Sequence, residues 1–521
     1  MPLLVLAVLT VAVYFRADGL GGRSLWADEF CTWRVSRMPA AASLRWGPEL
    51  TKPPLYQFAL RALTDDAHPP EWELRLPAMI AGTLAVAAAG WLVTCHGTKT
   101  SALAAITLLA LQPLQIAYSQ EARPYSLLVL GSIVSVTLWR RLVHRPTMRV
   151  GAAYAVVTAL SLHAHYLMVL VIAAQLAWWM LARDDRQRIP RTLAPLIPLA
   201  SAGLLCLPIV AHFLSTRTST FQGLDWIQPA TWSGALQVLE DITFGPLWLL
   251  LVLVPAAALW LTAALKTPRV VTSDPAAAPF DAKCPGSARA TTQQAAWADA
   301  ARRPMPPART DRWASIYDGR SDVVGLLFAW IAGSWFVLLV ISWCLHPAMV
   351  NRYALSAGIP AIVLPLIVFG RIDPRLPVLL AVAFAPYGAY RWAAERTVVE
   401  PGFRELSQYL AEHVDPAQDL IVLTVDLRTH PDWADAERLS FEYYPVRDYP
   451  IHELRLLPDG ATPQNPELFD DPRSMYLVVL WADPFEILRR VNRRAEPFLL
   501  DGDSYSQLLF SPYRLVRVAP K

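Results

Sequence analysis

The chain has 521 residues, 54% of them hydrophobic, with a mean hydropathy of +0.32 and a formal net charge of +3. Only 17% are charged, against roughly 25% in soluble domains. Lipid-facing helices impose that deficit, because an uncompensated charge in hydrocarbon is costly. The composition therefore excludes a soluble globular enzyme, and nucleic acid is not an expected partner. The five cysteines (Cys31, Cys95, Cys206, Cys284, Cys344) are scattered without a CxxC pair, so neither a zinc site nor a disulfide framework is expected.

About 20 apolar residues span a bilayer core as a helix that satisfies its own backbone. Spans are expected at 1–15, 74–94, 101–117, 126–143, 151–166, 167–182, 192–213, 244–265, 323–344, 353–370 and 376–390, about eleven in all. The first lacks a basic leader and a small-residue cleavage signal, so it reads as a membrane helix. Trp91, Trp139, Trp178, Trp179, Trp260 and Trp343 lie near span ends and read as an interfacial belt.

Orientation follows from basic residues in short loops. With the N-terminus inside, inner loops 95–100, 144–150, 183–191 and 371–375, taken with Arg140 and Arg141, hold 11 Lys and Arg. Outer loops 118–125, 163–166, 214–243 and 345–352 hold 3. The inner loop 266–322 is rich in Ala, Pro and Thr and reads as disordered. Eleven spans divide the chain into a membrane module, 1–390, and an outer part, 391–521. The outer part carries 15 Lys and Arg against 22 Asp and Glu. Its strand-like runs DLIVLTV, SMYLVVLW and YRLVRVA alternate with helical stretches such as FRELSQYLAEHV, so a small soluble α/β domain is expected.

The outer loop 16–73 is too long for a simple connector. It opens with SLWADEF, holding Asp28 and Glu29, continues with TKPPLY, holding Lys52, and closes with ELRLP, holding Arg75. Three more outer turns carry polar groups: YSQEARPYS with Glu121, Arg123 and Tyr125, HAHY with His163 and His165, and HPAMVNRY with His346, Arg352 and Tyr353. A sugar on a lipid monophosphate has its leaving group already anchored at the membrane surface. Breaking the sugar–phosphate bond needs cations to hold the departing charge, and Lys52, Arg123 and Arg352 supply them. The acceptor hydroxyl needs an aligned base, and Asp28 suits that role. Glu29 is the second catalytic candidate; Arg75, Tyr125 and Tyr353 complete the candidate phosphate-binding set. Such a site requires no metal, and a divalent ion is the only cofactor left open.

Each residue also has a plainer reading. Asp28 and Glu29 could cap a helix or pair with Arg34, and Lys52 could snorkel. Arg75 could pair with Glu71 or head groups. Arg123 and Tyr125 could close a turn fixed by Pro124, and Glu121 could pair with Arg123. The histidines could be interfacial.

In this order SLWADE, KPPLY, RLP, SQEARPYS and NRY resemble the membrane-embedded GT-C glycosyltransferases. The nearest groups are bacterial relatives of the protein O-mannosyltransferases and of the lipid A aminoarabinose transferases, a glycosyltransferase family 39-like set. The resemblance covers roughly 20–390 and is best from 24 to 130. It implies a bundle of eleven to thirteen helices with amphipathic outer helices over a cavity open to the bilayer. It also implies Asp28 as base, Lys52 as phosphate contact, and inversion at the anomeric carbon. Those aminoarabinose enzymes usually carry an acidic residue before the Lys; here it is Thr51, which counts against a metal there and against that sugar.

The expectation is an all-α polytopic membrane protein with a C-terminal α/β domain. It would move a sugar from a polyprenyl-phosphate donor to a lipid, protein or glycan acceptor, at the periplasmic face of a bacterial inner membrane. An oligosaccharide ligase or polymerase using a diphosphate carrier would instead gather several acidic metal ligands. A lipid transporter or flippase would show internal repeats and ionisable groups at mid-membrane, and a scaffold would not need Asp28.

Overall fold

The structure, a computed structural model, describes residues 2–39, 53–64, 66–181, 193–211, 213–214, 227–266, 322–397, 402–415, 417–426 and parts of 440–518. Lys52 and nearly all of the 266–322 loop lie outside the described residues.

In chain order the helices are α1 (Pro2–Ala17), α2 (Ala27–Arg37), α3 (Leu55–Leu63), α4 (Glu71–His96), α5 (Lys99–Leu111), α6 (Pro113–Ala117), α7 (Tyr125–His144), α8 (Met148–Ala164), α9 (Met168–Leu181), α10 (Leu196–Leu205) and α11 (Trp232–Asp241). A short turn at Pro246–Trp248 and a π-helical turn at Leu249–Leu253 lead into α12 (Val254–Lys266). Then come α13 (Asp322–Cys344), α14 (Asn351–Ile372), α15 (Leu376–Thr397) and α16 (Phe403–His413).

Among the described residues, each expected span falls mostly on helix, and the chain is a multi-pass membrane protein. Among the described residues, α4, α7, α13 and α14 are each long and apolar enough to cross a membrane, and a fifth span arises if α11 and the 246–259 helix count as one. Those two meet at 89°, around Gly245 at φ 82°, a left-handed conformation that costs glycine nothing. The expected span 101–117 is split into α5 and α6 at Pro113, which lacks the N–H that would continue a helix. The Gln112 side chain caps α6 by accepting from the Gln115 N–H at 2.6 Å.

Helix α14 is the axis of the bundle, buried along almost its whole length. It packs on α4, α5, α7, α13 and α15. The tryptophan belt is only partly interfacial. Trp91 and Trp343 are exposed, whereas Trp139, Trp178 and Trp179 are buried in the helix core. Position near a span end does not say which way a helix face points.

The tail forms a sheet in the order β2-β1-β3-β8-β4. Its strands are β1 (Asp419–Asp426), β2 (Ile451–Leu456), β3 (Ser474–Leu480), β4 (Ala495–Glu496) and β8 (Tyr513–Val518). Strand β7 (Leu508–Phe510) pairs with β8, and β5 (Phe498–Leu500) pairs with β6 (Asp503–Tyr505) in a separate ribbon. All three strand-like runs of the sequence became strands, and FRELSQYLAEH became α16. Strand β1 runs parallel to both β2 and β3, with Leu423 opposite Val478. Parallel central strands are covered on both faces, which explains their near-continuous apolar runs. Leu420, Val422, Leu477 and Val479 enter one core. Ile421, Leu423, Tyr476 and Val478 enter another, with α16, α2, α3 and the start of α4. The boundary expected at 390 falls inside α15.

That second core braces α2 and the start of α4. Phe403 packs edge-on to Phe30 of α2 at 6.0 Å, to Phe441 at 4.6 Å and to Tyr513 at 4.7 Å. The Phe403 N–H donates to Ser24 Oγ at 3.1 Å. A Cβ on Gly402 would force the same hydroxyl to move. Phe403→Ala should cost about 3–5 kcal/mol, read as a lower melting temperature of the purified chain in detergent. An unchanged melting temperature would mean the sheet does not brace α2.

Candidate active site

The site is organised by the first turn of α2. Trp26 is extended (φ −110°, ψ 171°) and precedes the helix. Its N–H donates to Glu29 Oε2 at 3.4 Å. Two acidic residues in a first turn suit the positive end of a helix dipole, but the two carboxylates face different partners.

Glu29 is fully buried. Arg75, one turn into α4, grips it bidentately at 2.8 and 2.7 Å, and the Ala122 N–H donates to Glu29 Oε1 at 2.6 Å. Arg75 also donates to the carbonyls of Leu20, Arg23 and Ser24. This pair ties α2, α4 and the 118–124 turn together. Glu71, the plainer partner for Arg75, instead accepts from Arg404 at 3.0 Å and from the Tyr444 hydroxyl at 2.8 Å. Glu29 and Arg75 are therefore engaged with each other and with the backbone, not aimed at the Asp28 carboxylate.

Asp28 is also buried. Its Oδ2 lies 3.3 Å from Arg123 Nη2 and 3.7 Å from Arg352 Nη1. Arg123 further donates to the Asp28 carbonyl at 3.0 Å and to Thr32 Oγ1 at 3.1 Å. The turn that presents Arg123 is tight, with its N–H on the Glu121 carbonyl at 2.7 Å. Arg352 comes from the first turn of the central helix α14, after Val350 in extended conformation. Two guanidiniums from distant parts of the chain thus converge on one oxygen. Arg34, the other candidate partner for this turn, pairs with Glu442 at 3.6 Å.

An aromatic wall flanks these charges. Tyr125 stands 5.1 Å from Tyr118 and 5.2 Å from His165. Tyr353 lies 6.4 Å from His165 and beneath the Arg352 guanidinium at 5.8 Å. Tyr118 donates to Asn351 Oδ1 at 3.2 Å. His163 turns away, with Nδ1 2.8 Å from the Ala159 carbonyl. Tyr118 and His165 lie in two of the turns that the sequence singles out, but only packing brings them to one wall.

Glu121 does not pair with Arg123. Its Oε2 is buried without a hydrogen-bond partner. Burial, then the nearby Glu29 carboxylate, push its carboxyl up to about 8, against the pull of Arg123. Below that pH Glu121 is neutral. Asp28, Arg123 and Arg352 then sum to one positive charge, which a phosphate monoanion would balance. Above about pH 8 a further carboxylate charge repels that phosphate. Donor-dependent activity should thus fall as pH rises through about 8, and Glu121→Gln should move this limb upward. An alkaline limb identical in Glu121→Gln would remove Glu121 from the site.

No group of three or more His, Cys, Asp or Glu side chains suited to a metal occurs among the described residues. Asp28 and Glu29 diverge onto different arginines, so a metal would have to displace Arg123 or Arg352 to reach Asp28.

Residues 51–215 match the family model described as dolichyl-phosphate-mannose-protein mannosyltransferase. The resemblance to GT-C membrane glycosyltransferases carried by the motifs is borne out over that stretch, which holds Arg75, Arg123 and Tyr125. No curated protein matches the sequence. Among solved structures, the chain is similar to an Archaeoglobus fulgidus oligosaccharyltransferase in complex with zinc and sulfate, at 11% identity and TM-score 0.47, covering 84% of this chain and 61% of that one. It is also similar to ArnT from Cupriavidus metallidurans bound to undecaprenyl phosphate, at 11% identity and TM-score 0.39, covering 98% and 97%. The chain thus spans less than two thirds of the archaeal enzyme and nearly all of the bacterial one.

Proposed function

We propose that the chain transfers a sugar from a polyprenyl-phosphate donor to an acceptor hydroxyl, at the periplasmic face of a bacterial inner membrane. The observation that carries this reading is the convergence of Arg123 and Arg352 on the buried Asp28 carboxylate. Without donor, Asp28 offsets one of the two guanidinium charges and engages both groups. An arriving donor phosphate offers them a better-matched anion, since guanidinium–phosphate contacts are charge-assisted and often bidentate. The arginines shift to the phosphate, and Asp28 is released to accept the proton of the acceptor hydroxyl. That oxygen then attacks the anomeric carbon from the face opposite the phosphate, with inversion. The bond to the phosphate oxygen breaks, and Arg123 and Arg352 stabilise the charge that develops there. Lys52 is a third cation for the same phosphate. Tyr125 and Tyr353 shape the wall beside it, and the Glu29–Arg75 pair positions α2. No divalent metal is needed for this chemistry.

The test is transfer by the purified chain across a panel of polyprenyl-phosphate sugars, with and without chelator. Turnover insensitive to chelator is expected from at least one monophosphate donor. Turnover only with diphosphate-linked oligosaccharide and added metal would replace this reading with the ligase one. Lipid movement across vesicles without any transfer would replace it with a flippase.

A further inference from the structure

Three glutamines stand in one short stretch, QPLQIAYSQEAR, that leads from α5 to Arg123. Gln112 and Gln115 are buried, and a buried amide is costly unless it is hydrogen-bonded. Each of the three reaches a different helix. Gln112 Nε2 donates to the carbonyls of Asp241 and Thr243, around the end of α11, at 3.0 and 2.9 Å. Gln115 Nε2 donates to the Leu355 carbonyl of α14 at 3.0 Å. Gln120 Nε2 donates to the carbonyls of Phe15, Arg16 and Asp18, around the end of α1, at 3.1, 3.2 and 2.8 Å. The stretch that carries Arg123 is therefore fixed to three helices besides its contacts with α2.

The link to α14 has two rungs. Gln115 bonds Leu355, and three residues further on the Tyr118 hydroxyl donates to Asn351 Oδ1 at 3.2 Å. Asn351 precedes Arg352 and Leu355 follows it, so the rungs bracket that arginine on its own helix. Gln115 is itself pinned: its N–H donates to Gln112 Oε1 at 2.6 Å, and its carbonyl accepts from Ser119 Oγ at 2.5 Å.

In the donor-free arrangement Asp28 also ties Arg123 to Arg352, since both face its Oδ2. The transfer step removes that tie, because Asp28 must leave the arginines to accept a proton. Two guanidiniums that share one phosphate then need another link at fixed spacing, because charge-assisted contacts of this kind depend on geometry. We propose that Gln115 and Tyr118 are positioning residues for donor binding: their bonds to α14 keep Arg352 within reach of the phosphate held by Arg123 once Asp28 has let go. Their role rests on the transferase reading above.

The probe is undecaprenyl phosphate, titrated onto the full chain in neutral detergent, with melting temperature read alongside. Gln115→Met/Tyr118→Phe should weaken its binding about tenfold, the scale of two lost hydrogen bonds. Tyr118→Phe keeps the ring that packs 5.1 Å from Tyr125, so on its own it should cost about threefold at a native melting temperature. Asn351→Ala should match it, and combining the two should add nothing. The decisive comparison is made in an Arg352→Gln chain, whose own binding is weaker. There the Gln115 and Tyr118 changes should cost nothing further, because a positioning residue acts only through the group it positions. A loss as large in the Arg352→Gln chain as in the native one would make both side chains general struts of the bundle and overturn the proposal. So would native affinity in Gln115→Met/Tyr118→Phe. If that pair melts early, Tyr118→Phe compared in the two backgrounds gives the same decision. Binding that Arg352→Gln leaves unchanged would discard the donor site and this role together. Arg352-dependent binding that follows the expected pattern, in a chain that transfers no sugar, would keep the positioning role and discard the transferase.

Discussion

Asp28→Asn is expected to lower the rate of sugar transfer by about a hundredfold or more, the usual scale for removing a general base, while donor binding stays the same or tightens. The two effects have separate causes. The amide cannot take the acceptor's proton, so the chemical step fails. It also no longer offers a negative charge to Arg123 and Arg352, which lie 3.3 and 3.7 Å from the native carboxylate, so the donor phosphate meets less competition for them. The Michaelis constant for donor should fall, or hold, as the turnover number collapses. A purely structural Asp28 would behave otherwise: its loss would weaken donor binding together with turnover, by loosening both arginines. Near-normal turnover of the variant would remove Asp28 from the mechanism and leave the scaffold reading standing.

Arg75→Met is expected to be the most destabilising change around α2 and the start of α4. The native pair is almost fully buried and bonded at both carboxylate oxygens. Removing the cation alone leaves Glu29 buried and unpaired, at a cost of about 3–5 kcal/mol. Thermal melting of the purified chain would read this. Adding Glu29→Gln to Arg75→Met should recover part of the loss, because the stranded charge is gone. If Arg75→Met melted like the native chain yet transferred no sugar, Arg75 would be a phosphate ligand after all, as its charge and loop position suggest.

Folding linkage through Glu121 has a definite sign. Its folded carboxyl is raised from 4.5 to about 8, so between those values the folded chain holds a proton that the unfolded chain has lost. Stability from this group is full below about 4.5 and declines as pH rises to about 8. Stability should therefore decline below about pH 8, as pH rises towards it, and activity should fall as pH rises through that value.

The motifs around Asp28, Arg123 and Arg352 were legible in the sequence because charge at helix mouths stands out against an apolar background. Their spacing could not show which carboxylate meets which cation. Asp28 and Glu29 are neighbours in sequence, yet they part company because helical geometry turns successive side chains by about 100°. One faces the 118–124 turn and α14; the other faces α4. Glu121 looked like a partner for Arg123, but the turn directs that arginine to Asp28 and leaves the glutamate stranded.

Hydrophobic periodicity and length determined the membrane helices, because each helix in lipid must satisfy its own backbone from local sequence alone. The same holds for the runs that became β1, β3 and β8, whose apolar composition marks strands covered on both faces. Tertiary structure alone decided the rest: which tryptophans are core, that α14 is the axis of the bundle, that the tail sheet braces α2, and that Arg352 reaches Asp28. Those outcomes depend on contacts between residues far apart in sequence, set by how helix faces fit together, and no local pattern encodes them.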